Sequence, residues 1–160
     1  MKLRYTMQDF MWAAFAVITG VVVIQTGDYL LGVKLEYYWG IPTFGFAWIA
    51  DLIVVPIAAG ITVSFIYGLG GKILAHFPPL LARLISYLAI TDGFAPLPPD
   101  VNLLPLGFWG FIVIFAIEAG AAGGVIGEII FKRIYGRTAR HLIYKARPET
   151  KDGAVPGSEK

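Results

Sequence analysis

The stretch GKILAHFPPLLARLISYLAI, Gly71 to Ile90, decides whether this chain crosses a membrane three times or four. It contains His76, the Pro78-Pro79 pair and Arg83, yet Leu80, Leu81, Leu84, Ile85 and Leu88 return at helical spacing on one face. Hydropathy alone would make it an interfacial helix. Charge placement argues for a crossing. With three spans and the basic C-terminal tail inside, Lys2, Arg4, Lys72 and Arg83 all fall outside. With four, only Lys34 does, and the loop TDGFAPLPPDVNLLP, Thr91 to Pro105, has no Lys or Arg. Prolines are tolerated near a helix start, where amide hydrogens lack partners in any case. The third span is therefore short and Pro-containing, and either crosses fully or re-enters.

The rest of the chain is plainer. It is 57% hydrophobic and only 15% charged, against roughly a quarter charged in a soluble domain. The uncharged runs Phe10 to Ile24, Leu52 to Gly71 and Val101 to Ile117 approach or reach the length that carries a helix across a hydrocarbon core of about 30 Å. Backbone exposed to lipid must satisfy its hydrogen bonds within its own segment, so the expected fold is an all-α integral membrane protein. Its four transmembrane helices lie at about 9–31, 44–70, 73–91 and 104–131, with both termini cytoplasmic. Residues 1–134 form the transmembrane domain and 135–160 a basic, partly disordered cytoplasmic tail. The basic start and apolar core of the N-terminus imitate a secretory signal, but no small-x-small cleavage site follows, which favours an uncleaved first span.

Lys132, Arg133, Arg137 and Arg140, with Lys145 and Arg147 beyond them, crowd behind the last apolar run. Basic clusters directly after a span mark the cytoplasmic side and touch anionic lipid headgroups. The tail is too short for a folded nucleic-acid module, so the expected partners are the bilayer and other membrane subunits, in a plasma (inner) membrane. The tyrosines and tryptophans Tyr29, Tyr37, Tyr38, Trp39, Trp48 and Trp109 read as an aromatic belt at the outer boundary.

The absence of cysteine removes disulfides, thiolate metal sites and thiol nucleophiles. His76 and His141 are too few and too far apart for a metal or haem site. Gly68-Leu-Gly-Gly-Lys72 resembles a fragment of a phosphate loop but has Ile73 where Ser or Thr is needed. No serine has a nearby His and acid. The expectation is a protein with no catalytic residues and no metal ligands, and the sequence identifies no cofactor.

Two features of the last span carry the functional reading. In FAIEAGAAGGVIGEIIFKR, Phe115 to Arg133, a glutamate sits beside a row of glycines. At 100° per residue from Glu118, Ala116, Gly120, Gly123 and Gly127 fall between about 140° and 200°, and Gly124 near 240°. The small stripe thus lies opposite the acid, and small-xxx-small spacing lets another helix approach closely. An acid this deep is costly unless paired, which makes it a functional candidate by default. Arg83 is the expected partner within the chain, the alternatives for Glu118 being a contact with a partner subunit or cofactor, or a place in a proton or cation pathway. Asp51, about two turns into the second span, is the other acid that demands explanation, while Asp28 and Glu128 read as ordinary solvated helix ends.

The segment IVIFAIEAG, Ile112 to Gly120, is similar to the carboxylate-bearing helix of the duplicated proteolipid that lines rotary proton-pump rings. Beyond the segment the chain departs from the family: its halves are not repeats, its first span lacks a dense glycine ladder, and its basic tail is foreign to that family. The leading expectation is a non-catalytic subunit of a larger membrane complex, packing through the Gly-rich face of its last helix. The alternative is a small proton or cation channel or carrier using Asp51 and Glu118.

Overall fold

A computed structural model describes residues 7–135; the tail, with Arg137 and Arg140, lies outside the described residues. Helix α1 is Met7–Leu31, α2 Phe46–Tyr67, α3 Gly71–Leu74, α4 Phe77–Thr91 and α5 Leu106–Tyr135. Four helical segments are long and apolar enough to cross a membrane, the third being α3 and α4 taken together, Gly71–Thr91. The chain is built as a multi-pass membrane protein.

The third segment is interrupted at residues 75 and 76, and the prolines explain where. Pro78 and Pro79 have no N–H to give the carbonyls of Leu74 and Ala75, so the helical ladder cannot run through. The regular part of the segment starts at Phe77, with the prolines in its first turn. Helix α2 stops earlier than hydropathy suggests, because Gly68 takes a positive φ of 85° and turns the chain towards α3.

Two short strands join the loops. β1, Tyr37–Tyr38, pairs antiparallel with β2, Asn102–Leu103, with Tyr37 opposite Leu103, and the Leu104 amide donates to the Glu36 carbonyl at 2.9 Å. The α1–α2 and α4–α5 connections therefore meet at one end of the bundle, called here the loop end. At the other end α5 reaches the α2–α3 turn. There one carboxylate oxygen of Glu128 accepts from the backbone amides of Gly70 at 2.7 Å and Lys72 at 3.2 Å. Glu128 is thus buried rather than a solvated end. It satisfies amides that the start of α3 would otherwise leave without partners.

Helix α5 is the central element and packs most extensively on α2. A methyl group added at Gly123 would stand 2.7 Å from the Ile57 Cα, at Gly120 2.8 Å from the Ala75 carbonyl oxygen, and at Gly127 2.7 Å from the Ser64 Cβ. Ser64 also donates across this interface to the Gly124 carbonyl at 2.8 Å. Gly120, Gly123, Gly124, Gly127 and Ala116 are all buried. The glycine face is therefore occupied within the chain, by α2 and by the segment around α3. It is not free for another subunit, which corrects the expectation that the protein packs outward through it.

The aromatic belt divides. Tyr29 and Trp39 are exposed, whereas Trp48 and Trp109 are buried in a loop-end cluster with Leu35, Leu104, Ile112 and Val113. Tyr87 covers Trp109 with ring centroids 4.5 Å apart.

Candidate functional site: a buried arginine among three acids

Arg83 is 1% exposed. Its guanidinium donates through Nη1 to Asp28 Oδ2 at 2.8 Å and through Nη2 to Asp28 Oδ1 at 2.7 Å, a two-pronged pair between α4 and α1. Nη2 also donates to Asp51 Oδ2 at 3.0 Å, tying in α2. Glu36 supplies a third carboxylate, with Oε1 3.7 Å from Nη1. That is close enough for charge attraction and too long for a hydrogen bond.

Three structural elements deliver the acids. Asp28 lies in the last turn of α1 and Asp51 in the second turn of α2. Glu36 arrives from the loop, where the β1–β2 pairing pins Leu35, Glu36 and Tyr37 inward. The planar fork of arginine suits this geometry, since it can satisfy one carboxylate with two parallel bonds and still reach a second.

The cluster is rich in unmet polar groups. Both Glu36 carboxylate oxygens, Asp51 Oδ1 and Arg83 Nε are buried without a hydrogen-bond partner. Glu36 and Asp51 are 0% exposed. Burial pushes the Glu36 carboxyl above its ordinary range. Arg83 pulls against that rise, the loop's own backbone amide and Lys34 do so more weakly, and nearby Asp28 adds to it. The attraction across 3.7 Å is real, but desolvation outweighs it.

An open cleft of about 670 Å³ sits beside the cluster at the loop end, lined among others by Gln25, Asp28, Tyr29, Lys34, Tyr37 and Trp39. Asp28 is 7% exposed and belongs to both the cleft and the Arg83 pair. Lys34 lies over the Tyr37 ring, 5.5 Å from its centroid.

The expected Arg83–Glu118 pair is not made. Arg83 is taken up by acids of α1, α2 and the loop, while Glu118 is exposed on α5, among exposed Phe111, Ile114, Phe115 and Ala122. No described residue gives Glu118 a hydrogen bond or an ion pair. The structure brings Arg83 and Asp51 together and leaves Glu118 apart from both. Asp28 is a full member of the cluster rather than a solvated end.

Sequence reasoning missed Glu36, which lies within LEYYWGIP and passes for loop polarity. A signal was present, since the acid is flanked by Leu35 and Tyr37, and Arg83 has no acid on its own helix. Lys132 and Arg133 are exposed at the far end of α5, with Lys132 3.9 Å from Glu128. No group of three metal-ligating side chains exists among the described residues. Comparison with protein families, with curated proteins and with solved structures finds no significant match to this chain.

Proposed function

We propose that the protein is a non-catalytic integral membrane subunit of a larger assembly, and that the Glu118 face of α5 is where a neighbouring subunit docks. One observation carries this reading: a carboxyl in the middle of a helix, about 18 Å from its start, points outward among apolar side chains with no described partner. Hydrocarbon is a poor environment for that group, charged or neutral, and a neighbouring helix with a donor or a cation at the same depth would satisfy it. The glycine face supports the same conclusion by elimination, because the chain's own helices already fill it.

Both termini are assigned to the cytoplasm of a plasma (inner) membrane, on the strength of Lys132 and Arg133 at one end and the near absence of Lys and Arg in the loops at the other. Single cysteines placed at Asp92 and at Lys72 should accept an impermeant label from opposite sides. Labelling from the same side would remove the third crossing.

The docking reading is tested by native mass spectrometry of a mild detergent extract, comparing wild type with Glu118→Gln. Wild type should run with unlike membrane proteins, and the variant should keep its thermal stability but lose that mass. A wild-type extract containing only the single chain would overturn the proposal. So would proton flux through liposomes holding the purified chain alone, which would favour a channel.

A further inference from the structure

The Arg83 cluster has more negative groups than positive ones. Asp28, Asp51 and Glu36 bring three carboxyls and Arg83 one guanidinium. The two-pronged Asp28–Arg83 bond forms one neutral unit, and Asp51 takes what remains of the fork at 3.0 Å. Glu36 is left over. Its two oxygens meet no hydrogen bond from another residue, only the weak pull of its own backbone amide, and the side chain is 0% exposed. An ionised carboxylate in that position would be desolvated with only a distant share of one cation, a state that buried charges avoid by neutralising.

We propose that this cluster is a proton-binding site: the folded protein holds an exchangeable proton on Glu36, taken up and released at the loop end, where Asp28 links the cluster to the cleft. α1 presents Asp28, α2 Asp51, α4 Arg83 and the loop Lys34, while α5 offers the uncharged Trp109. None of them supplies a second cation in contact with Glu36.

A proton fits better than a metal ion. The described residues contain no metal-ligating group of three, and the Arg83 guanidinium, already bonded to Asp28 and Asp51, sets a positive charge where a cation would have to sit. The proton also has a structural consequence. Glu36 shares its residue with the carbonyl that holds Leu104, so an ionised Glu36 repelled by Asp28 would strain the junction between the two loops. The occupancy of this site thereby links external pH to the loop-end surface. The inference stands whether or not a partner covers Glu118.

Infrared difference spectroscopy of the purified protein in nanodiscs tests it. Wild type should show a carboxylic-acid carbonyl band that persists above the pH at which an ordinary glutamate ionises, shifts in heavy water, titrates away as the pH is raised further and is missing in Glu36→Gln. Asp28→Asn should lower the midpoint of that band by about one pH unit, a tenfold loss of proton affinity. It removes a negative neighbour and frees Arg83 for Glu36, and both effects act in the same direction. Lys34→Gln should move the midpoint upward and leaves the ion-paired core intact, so it remains informative if Asp28→Asn fails to fold. A band that survives Glu36→Gln unchanged overturns the proposal. A midpoint that follows sodium concentration does so too, by showing a metal-ion site instead.

Discussion

Replacing Gly123 by alanine adds a single methyl group at the point where α5 meets α2. That methyl would collide with the Ile57 carbonyl oxygen and lie 2.7 Å from the Ile57 Cα. Both atoms are backbone, so no side chain can rotate away. Ordinary contact at 3.4–4 Å requires the helices to part by roughly 1 Å, and a gap of that size forfeits a quarter to a half of each dispersion contact along the seam. Overpacking of this kind costs about 3 kcal/mol, the upper part of the usual range, because the obstructing atoms cannot yield. Gly110→Ala is the control. It makes the same chemical change in the same helix, meets nothing within 4 Å, and gains up to about 1 kcal/mol of helix propensity. The two variants should differ by about 4 kcal/mol. In a chain of this length that corresponds to roughly 8–16 °C in unfolding temperature. Thermal unfolding in one detergent, followed by tryptophan fluorescence, measures the difference. Melting temperatures within about two degrees of each other would show that the α2–α5 contact accommodates the added methyl and refute the close approach at Gly123.

Three further outcomes are expected. Arg83→Gln strands three buried carboxyls and should cost about 3–5 kcal/mol, whereas Glu118→Gln in the isolated chain should leave the unfolding temperature unchanged; equal losses would place Glu118 in the core after all. Glu128→Ala leaves the Gly70 and Lys72 amides without their acceptor and should destabilise by about 1–2 kcal/mol, with Glu128→Gln retaining part of the loss, read by the same thermal assay. Glu36 has a carboxyl raised above its ordinary 4.5, so the folded state binds its proton more tightly than the unfolded state. Its stabilising contribution is full below about pH 4.5 and is lost as pH rises through the folded value, by up to about 1.4 kcal/mol per pH unit. Wild type should therefore lose stability with rising pH relative to Glu36→Gln, and parallel curves would contradict the sign.

The four apolar segments were legible because apolar length is a local property, and a third crossing is supported by charges far from that segment. The break at Ala75 and His76 follows from two prolines whose missing amides act four residues upstream. The contents of the site were not legible in the same way. Depth estimates treat a side chain as if it ended at its own Cα. Arg83 reaches acids at the loop end, and its long stem carries the charge away from the level of its backbone. Glu36 was hidden for a related reason. It belongs to a loop, and only the pairing of Tyr37 with Leu103, a contact distant in sequence, turns it inward.

Glu36 and Glu118 are the same residue type in opposite circumstances, and the contrast separates two kinds of work. Glu36 is enclosed by its own chain, with an arginine at 3.7 Å and two acids on that same arginine. Its energetics are settled by folding, and what it can exchange with the outside is a proton. Glu118 is turned away from that chain, and nothing in the described structure satisfies it. Its energetics are settled by what the membrane brings to it. A proton on Glu118 would remove the charge and still leave a hydroxyl and a carbonyl facing hydrocarbon, at a cost of a few kcal/mol. A donor on a neighbouring helix would remove that cost as well. If the internal acid responds to pH at the loop end and the external one to a neighbour within the bilayer, as proposed, loss of the first should alter pH dependence without altering assembly, and loss of the second the reverse.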